Sequence, residues 1–238
     1  MTSTRASRPI PLALTALVAL VSALAAIAIA GGPAAHAHGD GSDEASTAVT
    51  AAHSQTTLPS KAFALREGMR QLWEDHIVWT RLAIISLTTG TPDTEATVAR
   101  LLKNQTDLGN AVKPFYGKAA GNKLTAELRR HILIAADLIA AAKAGDQAKL
   151  AEEQARWAKN GDDIAAVLAS VNPRFFKLAV LKAEMQMHLK LTTEEAVARL
   201  QGNWAADVAA YDKIHRHILH MSDYLSDGLV KQFPKRFR

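Results

Sequence analysis

A spacing that occurs three times constrains the fold of this chain more than any other feature. Three histidines are each followed by a glycine fourteen positions later, and the pairs are His76 and Gly90, His131 and Gly145, and His188 and Gly202. Fourteen helical residues extend roughly 21 Å, and glycine is the commonest residue in the left-handed conformation that ends a helix. The spacing predicts three helices that end at glycine, each with a histidine at the same distance from its end.

The residues around these histidines have a helical period. From about residue 60 apolar residues recur three and four positions apart, with little strand-like alternation. Ala, Leu, Glu, Lys and Gln dominate, and all are good helix formers. Glycine, proline and asparagine divide this region into six predicted helices, over 60–89, 93–115, 123–144, 147–171, 176–201 and 203–230. The sequence predicts an all-α fold, a six-helix bundle built from three antiparallel helical hairpin repeats.

A pair of polar residues recurs on the helix that returns from each glycine. The pairs are Asn104 and Asp107, Asn160 and Asp163, and His217 and His220. In an antiparallel hairpin, residues equally far from the turn lie at the same height. We therefore expect each histidine to face its own pair, and the three sets to form a polar layer within an apolar core.

The polar layer has two interpretations, and the sequence leaves both open. Buried histidines that hydrogen-bond to Asn or Asp satisfy each other and fix the helix register, as in a structural or protein-interaction module. Alternatively, His76 and His131 with their Asn and Asp partners bind a small ligand, and His188, His217 and His220 hold a metal ion. Three imidazoles suit zinc or copper. The second interpretation predicts a binding module.

Asp207 is a further candidate, because it lies in the middle of the apolar stripe of the last helix. A carboxylate that faces the core needs a partner or a raised pKa. It is predicted to form a buried ion pair or, in an unrecognised hydrolase or transferase, to act as a ligand or acid–base group. The sequence lacks cysteine and has no phosphate-binding glycine loop, no Gly-x-Ser-x-Gly and no His-Glu-x-x-His. Whether the chain is an enzyme stays open.

The first 37 residues are typical of a secretory signal peptide. Arg5 and Arg8 precede an apolar run over 12–30, and Ala35-His36-Ala37 fits the small-x-small cleavage rule. Cleavage is predicted after Ala37, which would make the protein secreted or extracytoplasmic. The alternative is an uncleaved N-terminal membrane anchor, since about twenty apolar residues can span a bilayer.

The remaining sequence divides into a linker, a domain and a tail. Residues 38–59 are small and polar and predict a disordered linker, and 60–234 form the helical domain. The basic tail, 235–238, follows a proline that should end the last helix. We expect it to be solvated and available to contact the envelope or cell wall. Cleavage after Ala37 would remove two arginines and lower the formal net charge from +5 to about +3, which is too small to imply nucleic acid.

Several segments together resemble a family of uncharacterised bacterial helical proteins. The segments are Trp73-Glu-Asp-His76-Ile-Val-Trp79-Thr-Arg81, Asn104-x-x-Asp107, Pro114-Phe-Tyr-Gly117, Trp157-x-x-Asn160-x-x-Asp163 and Lys231-Gln-Phe-Pro234. The resemblance covers nearly all of 62–234 and implies a compact helical domain. Members are sometimes labelled acetylglutamate kinases or glycosyltransferases, but this sequence has neither a nucleotide-binding loop nor an alternating α/β pattern. The family therefore implies no activity that can be carried over.

Overall fold

The computed structural model describes residues 60–238, and within that range the chain is helical and has no strand. The five helices there are α1 (Ser60–Thr89), α2 (Thr94–Ala144), α3 (Gln147–Val171), α4 (Leu178–Leu200) and α5 (Trp204–Gln232), followed by a 3₁₀ helix (Pro234–Phe237). The predicted signal peptide and linker lie outside the described residues. The all-α prediction is confirmed. From residue 60 onward, no helix is both long and apolar enough to span a bilayer.

The predicted break at 117–121 is a change of direction inside α2. Gly117 has φ 83° and ψ 169°, while the residues on both sides are helical. Only glycine adopts this conformation at little cost. The two arms of α2 then fold back on each other, and Arg129 Nη1 donates to the carbonyl of Leu102 at 3.0 Å. The second and third predicted helices are thus the two arms of one element, α2, so the described chain has five helical elements where six helices were predicted.

Two glycines permit the arms of α2 to approach closely. A Cβ atom placed on Gly109 would lie 2.8 Å from the carbonyl oxygen of Gly121, and one on Gly121 would lie 2.6 Å from that of Gly109. Any side chain at either position would push the backbones apart. The fold-back at Gly117 therefore depends on small residues eight and four positions away.

The turns after α1, α2 and α4 have nearly the same conformation. Gly90, Gly145 and Gly202 have φ values of 73°, 71° and 69°, which confirms the predicted left-handed ends. Asp146 and Asn203 follow two of these glycines, and each side chain accepts a hydrogen bond from a backbone N–H in the next helix. These caps explain why the chain reverses within a few residues.

The helices form a closed bundle in which chain neighbours pack together and α5 returns to α1. Ion pairs of Arg66 with Asp227 and of Arg70 with Asp223 join these two helices along their length. The main core is apolar and receives side chains from all five helices. Its largest fully buried apolar members are Ile77, Leu108, Ile164, Phe176, Leu181, Ile214 and Ile218.

The C-terminal tail packs on the bundle, so the prediction of a solvated tail at 235–238 is wrong. Phe237 is 6% exposed and stacks on Phe115 with ring centroids 6.0 Å apart. Arg236 Nη1 donates to the carbonyl of Pro114 at 2.8 Å. The physical reason is the aromatic ring of Phe237, whose burial outweighs the entropy of a free chain end.

Candidate functional site

Three histidines from three helices converge in the core. His76 on α1, His131 on α2 and His188 on α4 are 3%, 3% and 4% exposed. The ring centroid of His188 lies 5.8 Å from that of His76 and 5.9 Å from that of His131. We call these three side chains the imidazole layer. The sequence predicted that each lies level with polar residues of its own hairpin; their approach to one another is a property of the fold.

His76 is held by two amides of the neighbouring arm of α2. Gln105 Nε2 lies 3.2 Å from His76 Nδ1 and acts as the donor. Asn104 Nδ2 donates to the carbonyl of Leu72 at 2.9 Å. Asn104 is a predicted site residue, whereas Gln105 was missed. The sequence pattern that could have indicated Gln105 is its place on the apolar stripe of α2, between Leu101 and Leu108.

His131 hydrogen-bonds to Asn160, as the spacing predicts. His131 Nδ1 lies 2.9 Å from Asn160 Oδ1, and because an amide oxygen only accepts, Nδ1 carries the proton. The Nε2 of His131 therefore has a free lone pair. Asn160 Nδ2 in turn donates to Glu127, at 3.2 Å to the carbonyl and 3.0 Å to Oε2. Trp157 stacks on the His131 ring with centroids 5.2 Å apart.

The predicted metal triad is not brought together. His217 stacks beside His188 with centroids 6.3 Å apart, but His217 Nε2 donates to the carbonyl of Glu184 at 3.1 Å. The His220 side chain is 69% exposed and faces the carboxylate of Glu184. Within residues 60–238, no three side chains of His, Cys, Asp or Glu lie close enough to share a metal ion. The three predicted ligands do not converge because the His220 side chain is exposed and His217 is hydrogen-bonded to Glu184.

Burial keeps the imidazole layer uncharged. It lowers the pKa of His76 to about 3, with a further contribution from the nearby His131. It also lowers the pKa of His131 to about 4, although the hydrogen bond with Asn160 acts in the opposite direction. The pKa of His188 is lowered well below its ordinary value, first by burial and then by the three neighbouring imidazoles. Each ring is therefore neutral near pH 7 and keeps one nitrogen as an acceptor.

Two predicted carboxylates lie outside the imidazole layer. Asp107 pairs with Lys103 on the surface at 2.7 Å, and Asp163 pairs with Lys159 and Arg130 at 2.8 Å and 2.7 Å. Only the asparagine of each predicted Asn/Asp pair reaches the core. Residues three apart on a helix differ by about 60° in direction, which is enough to turn the second member toward solvent.

Asp207 belongs to a separate buried group of charges that we call the ionic network. Its side chain is 1% exposed and accepts from Arg81 Nη1 at 2.9 Å and from Arg199 Nη1 at 3.0 Å. Arg81 also donates to Glu195, which is fully buried, at 2.7 Å. This geometry is a buried ion pair, which is one of the two roles predicted for Asp207. Glu195 was missed by the sequence analysis.

The two acids of the ionic network have opposite pKa shifts. Burial raises the pKa of Asp207, but hydrogen bonds and charges from Arg81 and Arg199 outweigh it and the pKa is lowered. For Glu195 burial prevails over the attraction of Arg81, and its pKa is raised to about 7. Glu195 Oε2 is buried without a hydrogen-bond partner within the described residues. Asp207 is thus a fixed charge, and Glu195 gains or loses a proton near neutral pH.

The imidazole layer lines an internal cavity of ≈ 40 Å³. All three histidines contribute to the wall, and the rest is almost entirely apolar. His188 Nδ1 is buried and has no hydrogen-bond partner in the described part of the chain. The other wall residues are Met69, Trp73, Leu108, Val112, Tyr116, Leu124, Leu128, Ile164, Leu168, Phe176, Met185, Ile218, Met221, Leu225 and Leu229.

Comparison with known proteins found no relative to guide the interpretation of the site. No family model matches the chain. No curated protein and no solved structure is similar to it either. The resemblance to an uncharacterised helical family stays a prediction.

Proposed function

We propose that this chain is an exported helical binding module that holds a metal ion, or a ligand of similar size, in the cavity beside the imidazole layer. One observation carries the proposal. Imidazoles from three helices meet at one cavity, and the central one, His188, has a buried nitrogen without a partner among residues 60–238. Native proteins seldom leave such an atom unsatisfied unless an ion, a water or a functional role accounts for it.

The size of the cavity limits the ligand. A cavity needs about 10–15 Å³ for each water-sized group, so ≈ 40 Å³ accommodates roughly three such groups. Typical sites for cofactors and other drug-sized molecules are about 300–1,000 Å³. The cavity therefore suits an ion or a very small molecule and is too small for an organic cofactor.

The chemistry of the wall favours an ion that accepts neutral nitrogen ligands. Imidazole binds zinc and copper in its neutral form, and the pKa values of all three rings are low enough to keep them in that form. His131 already has its Nδ1 oriented by Asn160. Such a partner on the other ring nitrogen is the arrangement that orients histidine ligands in metal sites.

Metal titration of the purified chain tests this function. Zn²⁺, Cu²⁺ and Cu⁺ are added separately, and binding is followed by native mass spectrometry and by the thermal midpoint, which rises when a ligand binds the native state. The variant is His188→Leu, and its matched control is His220→Ala, which removes an exposed imidazole. We expect at least one ion to bind the parent chain and the control, but not His188→Leu. Equal binding by all three proteins, or no binding, would contradict the proposal.

We also infer that the bundle contains three copies of one helical hairpin, with the two arms of α2 counted as separate helices. In each copy a polar residue on the return helix donates to the carbonyl four positions before the histidine. The three bonds are Asn104 to Leu72 at 2.9 Å, Asn160 to Glu127 at 3.2 Å and His217 to Glu184 at 3.1 Å. The matched glycine turns support the same inference. A threefold scaffold would explain why one histidine per copy reaches the same layer.

A protein-interaction module is the second candidate, because the surface beside the ionic network is apolar. Leu82 on α1 is 40% exposed, and Trp204 and Val208 on α5 are 57% and 52% exposed. The bond between Arg81 and Asp207 brings these parts of α1 and α5 together. Exposed apolar patches often mark contacts with other proteins. A shift from dimer to monomer on Val208→Asp, measured by light scattering, would favour this function; a monomeric parent chain would count against a self-associating form.

A further inference from the structure

The wall of the cavity contains a second set of donors, the thioether sulfurs of methionine. The chain has five methionines, and Met69, Met185 and Met221 line the cavity together with the imidazole layer. Met185 and Met221 are 6% and 3% exposed. Methionine also fills gaps in ordinary cores, so its presence alone would carry little weight. What points to a ligand role is that these methionines line the same cavity as the imidazoles.

Met185 and Met221 lie next to the imidazole layer along their helices. Met185 is three residues before His188 on α4, and Met221 is four residues after His217 on α5, whose ring stacks on His188. Residues three or four apart lie on the same helix face, one turn away. Both side chains belong to one buried cluster and border the same cavity as His131 and His188. Sulfur and nitrogen donors therefore line the same cavity.

The charge of the wall distinguishes between metals. No carboxylate of residues 60–238 lines the cavity, and its imidazoles are neutral. A divalent ion would bring two uncompensated charges into an apolar interior, which is costly. A monovalent ion brings one. Thioether sulfur is a soft ligand that favours Cu(I), and imidazole also suits copper. Both the donor set and the charge thus favour Cu(I) over zinc.

We propose that the cavity is a Cu(I) site, with the imidazoles of His131 and His188 and the thioethers of Met185 and Met221 as the ligands. This proposal rests on the function proposed above and specifies its ion. His131 offers the free lone pair of Nε2 because its Nδ1 proton is directed to Asn160. His188 offers the buried nitrogen that lacks a partner within the described residues. The site needs only two histidines, which is consistent with the lack of a three-residue His, Cys, Asp or Glu cluster in residues 60–238.

The test is a Cu(I) competition titration under reducing, oxygen-free conditions, with bicinchoninate as the chromophoric competitor. Met185→Leu and Met221→Leu remove sulfur at nearly constant volume. The matched control is Met187→Leu, since Met187 lies on the same helix as Met185 but is 45% exposed. We expect about one Cu(I) per parent chain and a loss of about tenfold or more in affinity for each cavity variant, the usual scale when a metal environment is altered. The control should bind like the parent, and X-ray absorption of the loaded chain should show copper–sulfur scattering.

The outcomes separate this inference from the broader function. If the three methionine variants bind Cu(I) equally, or if copper–sulfur scattering is lacking, the thioether site is wrong. Preferential binding of Zn²⁺ that His188→Leu abolishes would also overturn the Cu(I) assignment, while the binding function would stand. If neither ion binds the parent chain, both proposals fail. Circular dichroism of each variant, with an unchanged helical spectrum expected, shows whether a loss of binding reflects unfolding.

Discussion

The imidazole layer and the ionic network are two polar groups in one bundle, and they solve the problem of burial in opposite ways. The network lies about 7–11 Å farther along α1 and α4, toward the turns at Gly90 and Gly202. It keeps the charges of Asp207, Arg81 and Arg199 and pairs them. The rings of the imidazole layer are uncharged instead, because neutral rings cost less free energy to bury than charged ones.

The difference has a functional consequence. In the ionic network Asp207 and the arginines bind each other, so the network stabilises a junction of α1, α4 and α5. In the imidazole layer His188 retains a nitrogen with no partner among residues 60–238, beside a cavity. Paired charges hold helices together, whereas neutral rings with free lone pairs can receive a ligand. Four predictions test this comparison, with the largest expected effect first.

The largest effect is expected from Asp207→Ala. The change leaves two arginines that are 18% and 17% exposed without their shared carboxylate, and breaking a buried ion pair costs about 3–5 kcal/mol. Chemical denaturation measures the loss in the free energy of unfolding. Asp163→Ala, which breaks surface ion pairs, is the control and should cost about 1 kcal/mol or less. Equal losses for the two variants would show that the network is not a structural junction.

His131→Ala should lower the free energy of unfolding by about 1–3 kcal/mol, because Asn160 Oδ1 loses its buried donor. His131→Phe should also be destabilising, since it fills the space but leaves the amide unsatisfied. The double variant His131→Leu with Asn160→Leu should cost less than the sum of its two single variants. Full additivity in this double-mutant cycle would mean that the hydrogen bond contributes nothing.

Acid should destabilise the metal-free protein through the imidazole layer. The folded pKa values of His76 and His131, about 3 and about 4, lie below the ordinary 6.5, so the unfolded chain binds protons more tightly. The contribution of the neutral rings to the free energy of unfolding is fully present above pH 6.5. As the pH falls below 6.5, this contribution decreases by about 1.4 kcal/mol per pH unit for each histidine. Urea unfolding at pH 7 and pH 5.5 should show a shallower fall for His188→Leu. Asn104→Leu changes a buried residue beside the imidazole layer without removing a titrating group, and it should keep the original slope.

Glu195 should give the opposite pH dependence. Its folded pKa of about 7 lies above the ordinary 4.5, so the folded state holds the proton more tightly and stability declines as pH rises between these values. Glu195→Gln stays neutral at every pH and can still accept from Arg81. Relative to the parent chain it should gain about 2–3 kcal/mol between pH 5 and pH 8. A difference that does not change with pH would show that Glu195 is charged throughout.

The site was predictable from the sequence only where it depends on a single hairpin. Equal distances from a glycine turn placed His131 opposite Asn160, and the structure has that hydrogen bond. The same reasoning failed for Asp163. Spacing along a helix predicts the position of a residue along the helix axis reliably, but it predicts the direction of its side chain around the axis only approximately. Gln105 and Glu195 were missed because each looks like one polar residue among many until the neighbouring helix shows that its position is buried.

Local sequence determined the helices, because periodic apolar residues and glycine turns act over a few residues. It also determined that His131 lies level with Asn160 on the next helix. Only the tertiary structure decided that His76 and His131 both approach His188, that Arg81 reaches Asp207 across 126 positions, and that methionines share the cavity. These contacts depend on how whole helices rotate and pack around a common core, which no local pattern specifies.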